Sequence, residues 1–388
     1  MRVLYAAFDV VPSPKGAGTH IRHFVAGLTR AGCEVTLLTP LAPGLAEEER
    51  YEGARHLRLG TPGSGNFLAR ALEFAEGVVA HVRASPPFDV LHYRSLWAGL
   101  PALVAERPAR LCVFEANSLA SLELPFHYPA LRGSATLAKI AALERLLLER
   151  SDAVIAVSRV SRAFLIGHGA RPESLAVIPN GIDSDEFAAT PPRERAGPGQ
   201  LLYAGTLADW QGLATALDAM PRVLEEADVR LLIVGRGRSR QRKEVLRRIR
   251  RLGLEGKVEL RPAVPHDEVP ALLRECDVAL APLAFDERNV LQGCCPIKVL
   301  EAMAAGRPLV ASDLPVVREL ARPGREALLV PPGSAAALAQ AVLRLLARPG
   351  LARRLAERAA RRAHAELTWA RAQERLLALY DARLAAAR

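Results

Sequence analysis

Two series of short apolar runs constrain this 388-residue chain more than any other feature, each run closing in Gly, Pro or a polar residue before a longer helical stretch. RVLYAA (2–7), EVTLLTP (34–40), DVLHY (89–93), RLCVFE (110–115) and AVIAVS (153–158) form the first series. LLYAG (201–205), LLIVG (231–235), VELRP (258–262), VALAP (278–282) and PLVAS (308–312) form the second. Helical segments such as 19–31 and 66–83 separate them. Near-continuous apolar strands alternating with helices belong to parallel sheets covered on both faces. The expected fold class is α/β, with two facing Rossmann-like doubly wound domains. The length agrees, being too great for one ordinary core.

The boundary is expected near 168–172, ahead of LAVIPNGID, which gives domains 1–170 and 171–367. The Pro/Gly-rich ATPPRERAGPGQ (189–200) reads as a loop or part of a hinge. Residues 352–388 are Ala/Leu/Arg-rich and strongly helical in propensity. The N-terminal MRVLYAAFDVVPSP reads as a first strand rather than a signal sequence. No apolar run approaches the ~18–20 residues that span a bilayer. Cys33, Cys112, Cys276, Cys294 and Cys295 lack metal-ligand or redox spacing, so a reducing, cytoplasmic setting is expected. The net charge of +10 is carried mainly by arginine spread over helices such as 236–251 and 353–371. Without interleaved aromatics this argues against nucleic acid as a partner. Peripheral attraction to an anionic inner membrane face stays open.

Ligands of open α/β sheets bind beyond the C-terminal strand ends, so those loops carry the search. PSPKGAGTHIRHF (12–24) places Gly16 and Gly18 before a helix, where free N–H groups attract anions; a plain turn is the equal alternative. Neither this loop nor VGRGRSR (234–240) completes a dinucleotide fingerprint, since Ile21 and Arg240 occupy the last glycine positions. His92 and Arg94 follow a strand, and a guanidinium there calls for a carboxylate or phosphate. Glu115, Asn117, Ser121 and Glu123 in FEANSLASLE suit a polyhydroxylated acceptor, or equally a solvated loop with a helix cap. IPNGID (178–183) carries an Asn-Gly turn in which Gly181 would let backbone pass close to a ligand.

GCCPIKVLEAMAAGRPLVAS (293–312) is the most informative stretch. Pro296 suits a first helical turn, and Gly306 and Pro308 end the helix. Lys298 in that first turn opposes the helix dipole by ~0.3–1 kcal/mol unless an anion is present. A diphosphate would satisfy both the ammonium and the exposed N–H groups. Glu301, one turn deeper, is an acceptor-only group suited to a ribose diol. The alternative is a surface helix on which Lys298 and Glu301 pair with one another.

Together these passages resemble family 4 glycosyltransferases, retaining enzymes of the GT-B fold. The likeness includes the Gly-rich first loop, the strand ending at His92, "VS…IPNGID", "YAGTL…QGL" (203–213), "LLIVG", "PIKVLEAMAAGRPLVAS" and "TWARA" (368–372). It implies that the last helix, 368–388, crosses back to complete the first domain. It implies a donor site on Gly16, Gly18, Gly181, Gly205, Thr206, Gln211, Arg236, Gly293, Cys295, Pro296, Ile297, Lys298 and Glu301, and an acceptor side on His92, Arg94, Glu115, Asn117 and Glu123. Lys298, Glu301 and Arg94 would carry the catalytic roles. Three departures stand out. Gly293 replaces the first acid of the family's Glu-x7-Glu pair, Thr206 and Gln211 replace its basic pair, and Arg94 stands where a His is common.

The implied reaction moves a sugar from a nucleoside diphosphate to a hydroxyl acceptor with retention, and with no metal or other cofactor. Positive groups and N–H donors would stabilise the leaving diphosphate, and domain closure would exclude water. An epimerase on the same fold and a non-catalytic nucleotide-sugar-binding subunit are the alternatives. These residues name neither sugar, base, acceptor nor oligomeric state.

Overall fold

The computed structural model describes residues 1–13, 16–63, 65–106, 108–190 and 197–386. Parts of two expected loops, residues 14–15 and 191–196, and the last two residues of the expected crossover helix lie outside that set. The chain divides into two compact units, Met1–Pro179 with Trp369–Arg388, and Asn180–Thr368.

The first unit contains eight strands: β1 (Arg2–Ala6), β2 (Glu34–Pro40), β3 (Glu48–Tyr51), β4 (Ala54–Leu59), β5 (Phe88–Tyr93), β6 (Ala109–Glu115), β7 (Ala153–Ala156) and β8 (Leu175–Val177). Their order is β3-β4-β2-β1-β5-β6-β7-β8, parallel throughout except for the β3–β4 hairpin. β1 is apolar on both faces because helices cover both. On one side the helix Gly16–Arg30 buries Ile21, Phe24, Val25 and Leu28, the i, i+3, i+4, i+7 spacing of one helical face. On the other, the helix Phe67–Ala84 starts at Asn66, whose side chain accepts from the Ala69 N–H at 3.0 Å, and packs Phe74, Ala75 and Val78 into the core.

β8 corrects the expected boundary. LAV belongs to the first sheet, paired in parallel with β7, so the first unit runs to Pro179 rather than stopping at residue 170. The terminal helical stretch is two helices, Pro349–Glu366 and Trp369–Ala386. The first belongs to the second unit and the second to the first. Trp369, Ala372, Leu376 and Tyr380 join the core beneath β1 and β5.

The second unit holds β9 (Gly199–Ala204), β10 (Val229–Val234), β11 (Val258–Arg261), β12 (Val278–Ala281), β13 (Leu309–Ser312) and β14 (Leu328–Val330). Their order, β11-β10-β9-β12-β13-β14, is the 3-2-1-4-5-6 arrangement of a dinucleotide-binding sheet. The order reverses between β9 and β12, and a ligand is expected beyond their C-terminal ends. The helix Ile297–Ala304 stops as its sequence requires. Gly306 adopts φ +66°, and Arg307 and Gly306 donate back to the carbonyls of Ala302 and Met303 at 3.0 and 3.1 Å. That is the glycine-dependent helix stop in which two otherwise orphaned carbonyls are satisfied.

Candidate active site

The C-terminal ends of β9 and β12 are closely packed backbone. A side chain at Gly235 would stand 1.7 Å from the Gly205 carbonyl oxygen, and one at Gly212 would stand 1.8 Å from that of Pro282. Into this floor the helix Ile297–Ala304 delivers Lys298. Its Nζ lies 4.1 Å from the centre of the Tyr203 ring, is shielded from solvent and has no hydrogen-bond partner among the described residues. Gly205 lies directly against it: a Cβ there would stand 2.6 Å from Nζ, and the φ of +154° itself favours glycine. Burial lowers the Lys298 amine to about 7, against the opposing pull of Glu301 and Cys294. A buried amine without a counter-ion is costly, and its position at the switch point marks where an anion fits.

Glu301, 8 % exposed, does not pair with Lys298. Its Oε1 is 2.9 Å from His266 Nε2, and His266 Nδ1 is 3.7 Å from Glu186. One imidazole thus fixes Glu301 and leaves its second oxygen with accepting capacity. His266 escaped the sequence reading. Its signal was a histidine in the loop PAVPHDE just beyond β11, a strand end like those that were searched.

The loop before this helix explains the missing acid. Gly293 has φ +76° and ψ 158°, a region essentially restricted to glycine. Cys295 is buried and its carbonyl accepts from Asn180 Nδ2 at 3.1 Å, tying the Asn180-Gly181 turn to the loop. Pro296 and Ile297 are half-buried and Gly181 is buried. Thr206 and Arg236 are exposed, while Gln211 holds its Oε1 shielded and without a partner. All five cysteines are free thiols, and burial raises that of Cys294 to about 11.

In the first unit Glu115, at the end of β6, has no exposure and gathers His92, Arg94 and Asn117 around itself, while Glu123 stands apart. His92 Nε2 lies 2.9 Å from its Oε2, Arg94 Nε 2.9 Å and His20 Nε2 2.9 Å from its Oε1, and Tyr5 donates at 2.7 Å. Asn117 donates to the same carboxylate, and Tyr380 meets His92 Nδ1 at 2.5 Å. His92 and Glu115 are fully buried, and the Arg94 side chain is 6 % exposed. Burial alone would raise the Glu115 carboxyl, but Arg94 and His20 hold it well below the usual range. Burial likewise works against the Arg94 charge, and Glu115 more than offsets it. These contacts tie β1, β5 and β6 together around one buried carboxylate. Arg94 also donates to the Ala17 carbonyl at 3.1 Å, which anchors the start of the Gly16–Arg30 helix. Gly18 is there for packing, since a Cβ would stand 2.5 Å from the Ser13 carbonyl oxygen; Gly16 is exposed. Glu123 is half-buried in the first turn of the helix Ala120–His127. A 370 Å³ cavity lined by Arg2, Glu34, Arg55 and His81 lies at the opposite, N-terminal ends of the strands, away from all of these groups.

Among the described residues, no helix is long and apolar enough to cross a membrane. No group of three or more His, Cys, Asp or Glu side chains among them is placed to hold a metal ion.

A Rossmann-order sheet, with a shielded lysine at its switch point that has no hydrogen-bond partner among the described residues, has the layout of a nucleotide-binding α/β unit. Comparison with known proteins narrows this. Residues 14–186 match the model "Glycosyltransferase Family 4" and residues 198–348 match "Glycosyl transferases group 1". The chain is 32 % identical over 356 residues to a phosphatidyl-myo-inositol mannosyltransferase of Mycobacterium leprae, covering 88 % of this chain and 85 % of that protein. It is 26 % identical to a glycogen synthase of Mycobacterium tuberculosis, covering 95 % and 92 %. Sucrose-phosphate synthase from Thermosynechococcus elongatus shares the fold with a TM-score of 0.81 at 21 % identity, covering 99 % and 100 %. Anabaena HepE, solved in complex with UDP and glucose, does so with a TM-score of 0.75 at 21 % identity, covering 98 % and 100 %. The chain belongs to the family 4 glycosyltransferases and has their GT-B fold.

Proposed function

We propose that this glycosyltransferase takes its sugar from a nucleoside diphosphate, bound on the second unit, and transfers it with retention to a hydroxyl acceptor without a metal ion or other cofactor. The observation that carries the reading is the Lys298 ammonium, buried without a partner at the β9/β12 switch point one helical turn from Glu301. The diphosphate would meet Lys298 and the N–H groups opening the helix Ile297–Ala304. The ribose diol would donate to the free oxygen of Glu301. As the bond between the sugar C1 and the phosphate oxygen breaks, negative charge grows on the β-phosphate, and a prepositioned cation stabilises it there. The acceptor oxygen forms the new bond to C1 and its proton passes to the leaving phosphate, so no side-chain base is needed. The Mycobacterium leprae relative is named for a phosphatidylinositol acceptor, which makes a lipid-linked hydroxyl the first acceptor to try, ahead of a soluble glycan or small metabolite.

The test is a panel of UDP-, GDP- and ADP-linked hexoses read by thermal stabilisation, because a ligand of the folded state raises its melting temperature by mass action. One of them should stabilise the wild type and lose most of that effect in Lys298→Met. Turnover of the same donor, with the product anomer read by NMR and repeated in chelator, tests retention and metal independence. A donor that stabilises both proteins equally would remove Lys298 from the site.

A further inference from the structure

The helix Ser239–Arg251 has the most one-sided surface in the second unit. Nine side chains from Arg236 to Arg251 are cationic, and Glu244 is the one acid among them. Val245 and Ile249 are its buried contact with the core. At 3.6 residues per turn, Arg240, Lys243, Leu246, Arg247, Arg250 and Arg251 fall within an arc of roughly 140° on the opposite side, and all six are exposed. Glu244 lies at the flank and pairs with Arg247, and Asp218 takes Arg248 at the other flank. Among the described residues, Arg240, Lys243, Arg250 and Arg251 form no ion pair. Lys243, Arg247 and Arg251 succeed one another at i, i+4, where like charges repel, and the first turn holds no acid to offset the dipole. A helix that only had to face water would mix both signs.

We propose that this face docks on an anionic lipid bilayer. A surface of many mobile phosphate groups complements an unpaired, evenly spread cationic face, and Leu246, 40 % exposed among the arginines, has an apolar layer to enter just below it. Nucleic acid is the poorer match: no Phe, Trp or Tyr occurs between Trp210 and Phe285, so the surroundings offer no ring for bases to stack on. The inference is argued from this helix face alone and does not rest on the transferase reading.

The full-length protein would be sedimented with vesicles of phosphatidylglycerol and phosphatidylcholine in equal parts, and with phosphatidylcholine alone. Binding to the anionic vesicles at low salt, and its release at high salt, are expected. Lys243→Glu/Arg250→Glu/Arg251→Glu should cut partitioning by roughly a hundredfold, three cations at about 1 kcal/mol each. The charge-matched Arg354→Glu/Arg358→Glu/Arg361→Glu, on the exposed side of the helix Pro349–Glu366, should change it by less than about threefold, the part that screening leaves. Unchanged melting temperatures of both variants would show that they fold. Equal losses in both would reduce the effect to net charge and overturn the proposal. So would the absence of wild-type binding to anionic vesicles, or tighter binding to duplex DNA than to those vesicles through the same three residues.

Discussion

The Lys298 ammonium stands 4.1 Å from the centre of the Tyr203 ring with no hydrogen-bond partner among the described residues. An aromatic face stabilises a cation but does not replace a lost hydration shell, and burial brings the amine down to about 7. The resting site therefore holds an amine that is close to half protonated at neutral pH.

Donor binding should be proton-linked as a result. Below pH 7 the free protein already carries the proton, and binding takes up none. Above it the free amine is neutral while the diphosphate-bound amine is charged. Affinity should then fall as pH rises, approaching tenfold per unit. Calorimetry in buffers of different ionisation enthalpy, with a nucleoside diphosphate sugar as ligand, reads the uptake directly. Lys298→Met should bind more weakly and show a flat pH profile between 7 and about 9.

Glu301→Gln keeps the shape and removes the charge. Hydrogen bonds to ionised groups contribute about 1.5–3 kcal/mol, so donor affinity should fall roughly ten- to a hundredfold. The melting temperature should hold, because His266 can still meet the amide oxygen. Affinity for a nucleoside lacking phosphates should fall by the same factor. In Lys298→Met the nucleoside should be spared, and equal losses there would place the lysine away from the phosphates.

Restoring the family's first acid should not restore a stronger enzyme. Gly293 has φ +76°, where a side chain costs about 1–3 kcal/mol. Gly293→Glu and Gly293→Ala should both lower the melting temperature by a similar amount and weaken donor use. A Gly293→Glu variant faster than the wild type would show that the loop accepts the acid.

Glu115→Gln should be severe although it touches no ligand in the proposed reaction. Removing one partner of a buried charge pair costs about 3–5 kcal/mol, and here Arg94 would be left uncompensated. Because Arg94 and His20 hold the Glu115 carboxyl well below its ordinary value, the stability it supplies is full at neutral pH and persists through mild acid. It is lost only as pH falls through that depressed value. Urea unfolding of wild type and variant should differ most at neutral pH and converge in strong acid.

The central strands were legible because burial on both faces leaves apolar runs that resemble nothing else. β3 and β4 were not, since Glu48, Glu49, Arg50 and Arg55 put charges on an edge hairpin, as sheet edges commonly do. β8 is only three residues long, and its apolar run ahead of the Asn-Gly turn reads as the opening of the second unit. At the site, Lys298 and Glu301 stood out by their awkward places on one helix, a local signal. How His92, Arg94 and Glu115 are held was not legible, because their partners include Tyr5, His20, Asn117 and Tyr380. Only the folded sheet brings residues from both ends of the chain to one carboxylate.

That carboxylate's bracing reaches Tyr380 through His92, and Tyr380 lies in the segment that returns to the first unit after Thr368. On the ribosome, His92 emerges 288 residues before Tyr380 does, and the whole second unit lies within that stretch. The first unit must wait, sheet formed and polar centre unsealed, while a complete neighbouring unit is synthesised. Its polar centre closes only once the segment bearing Tyr380 has been made.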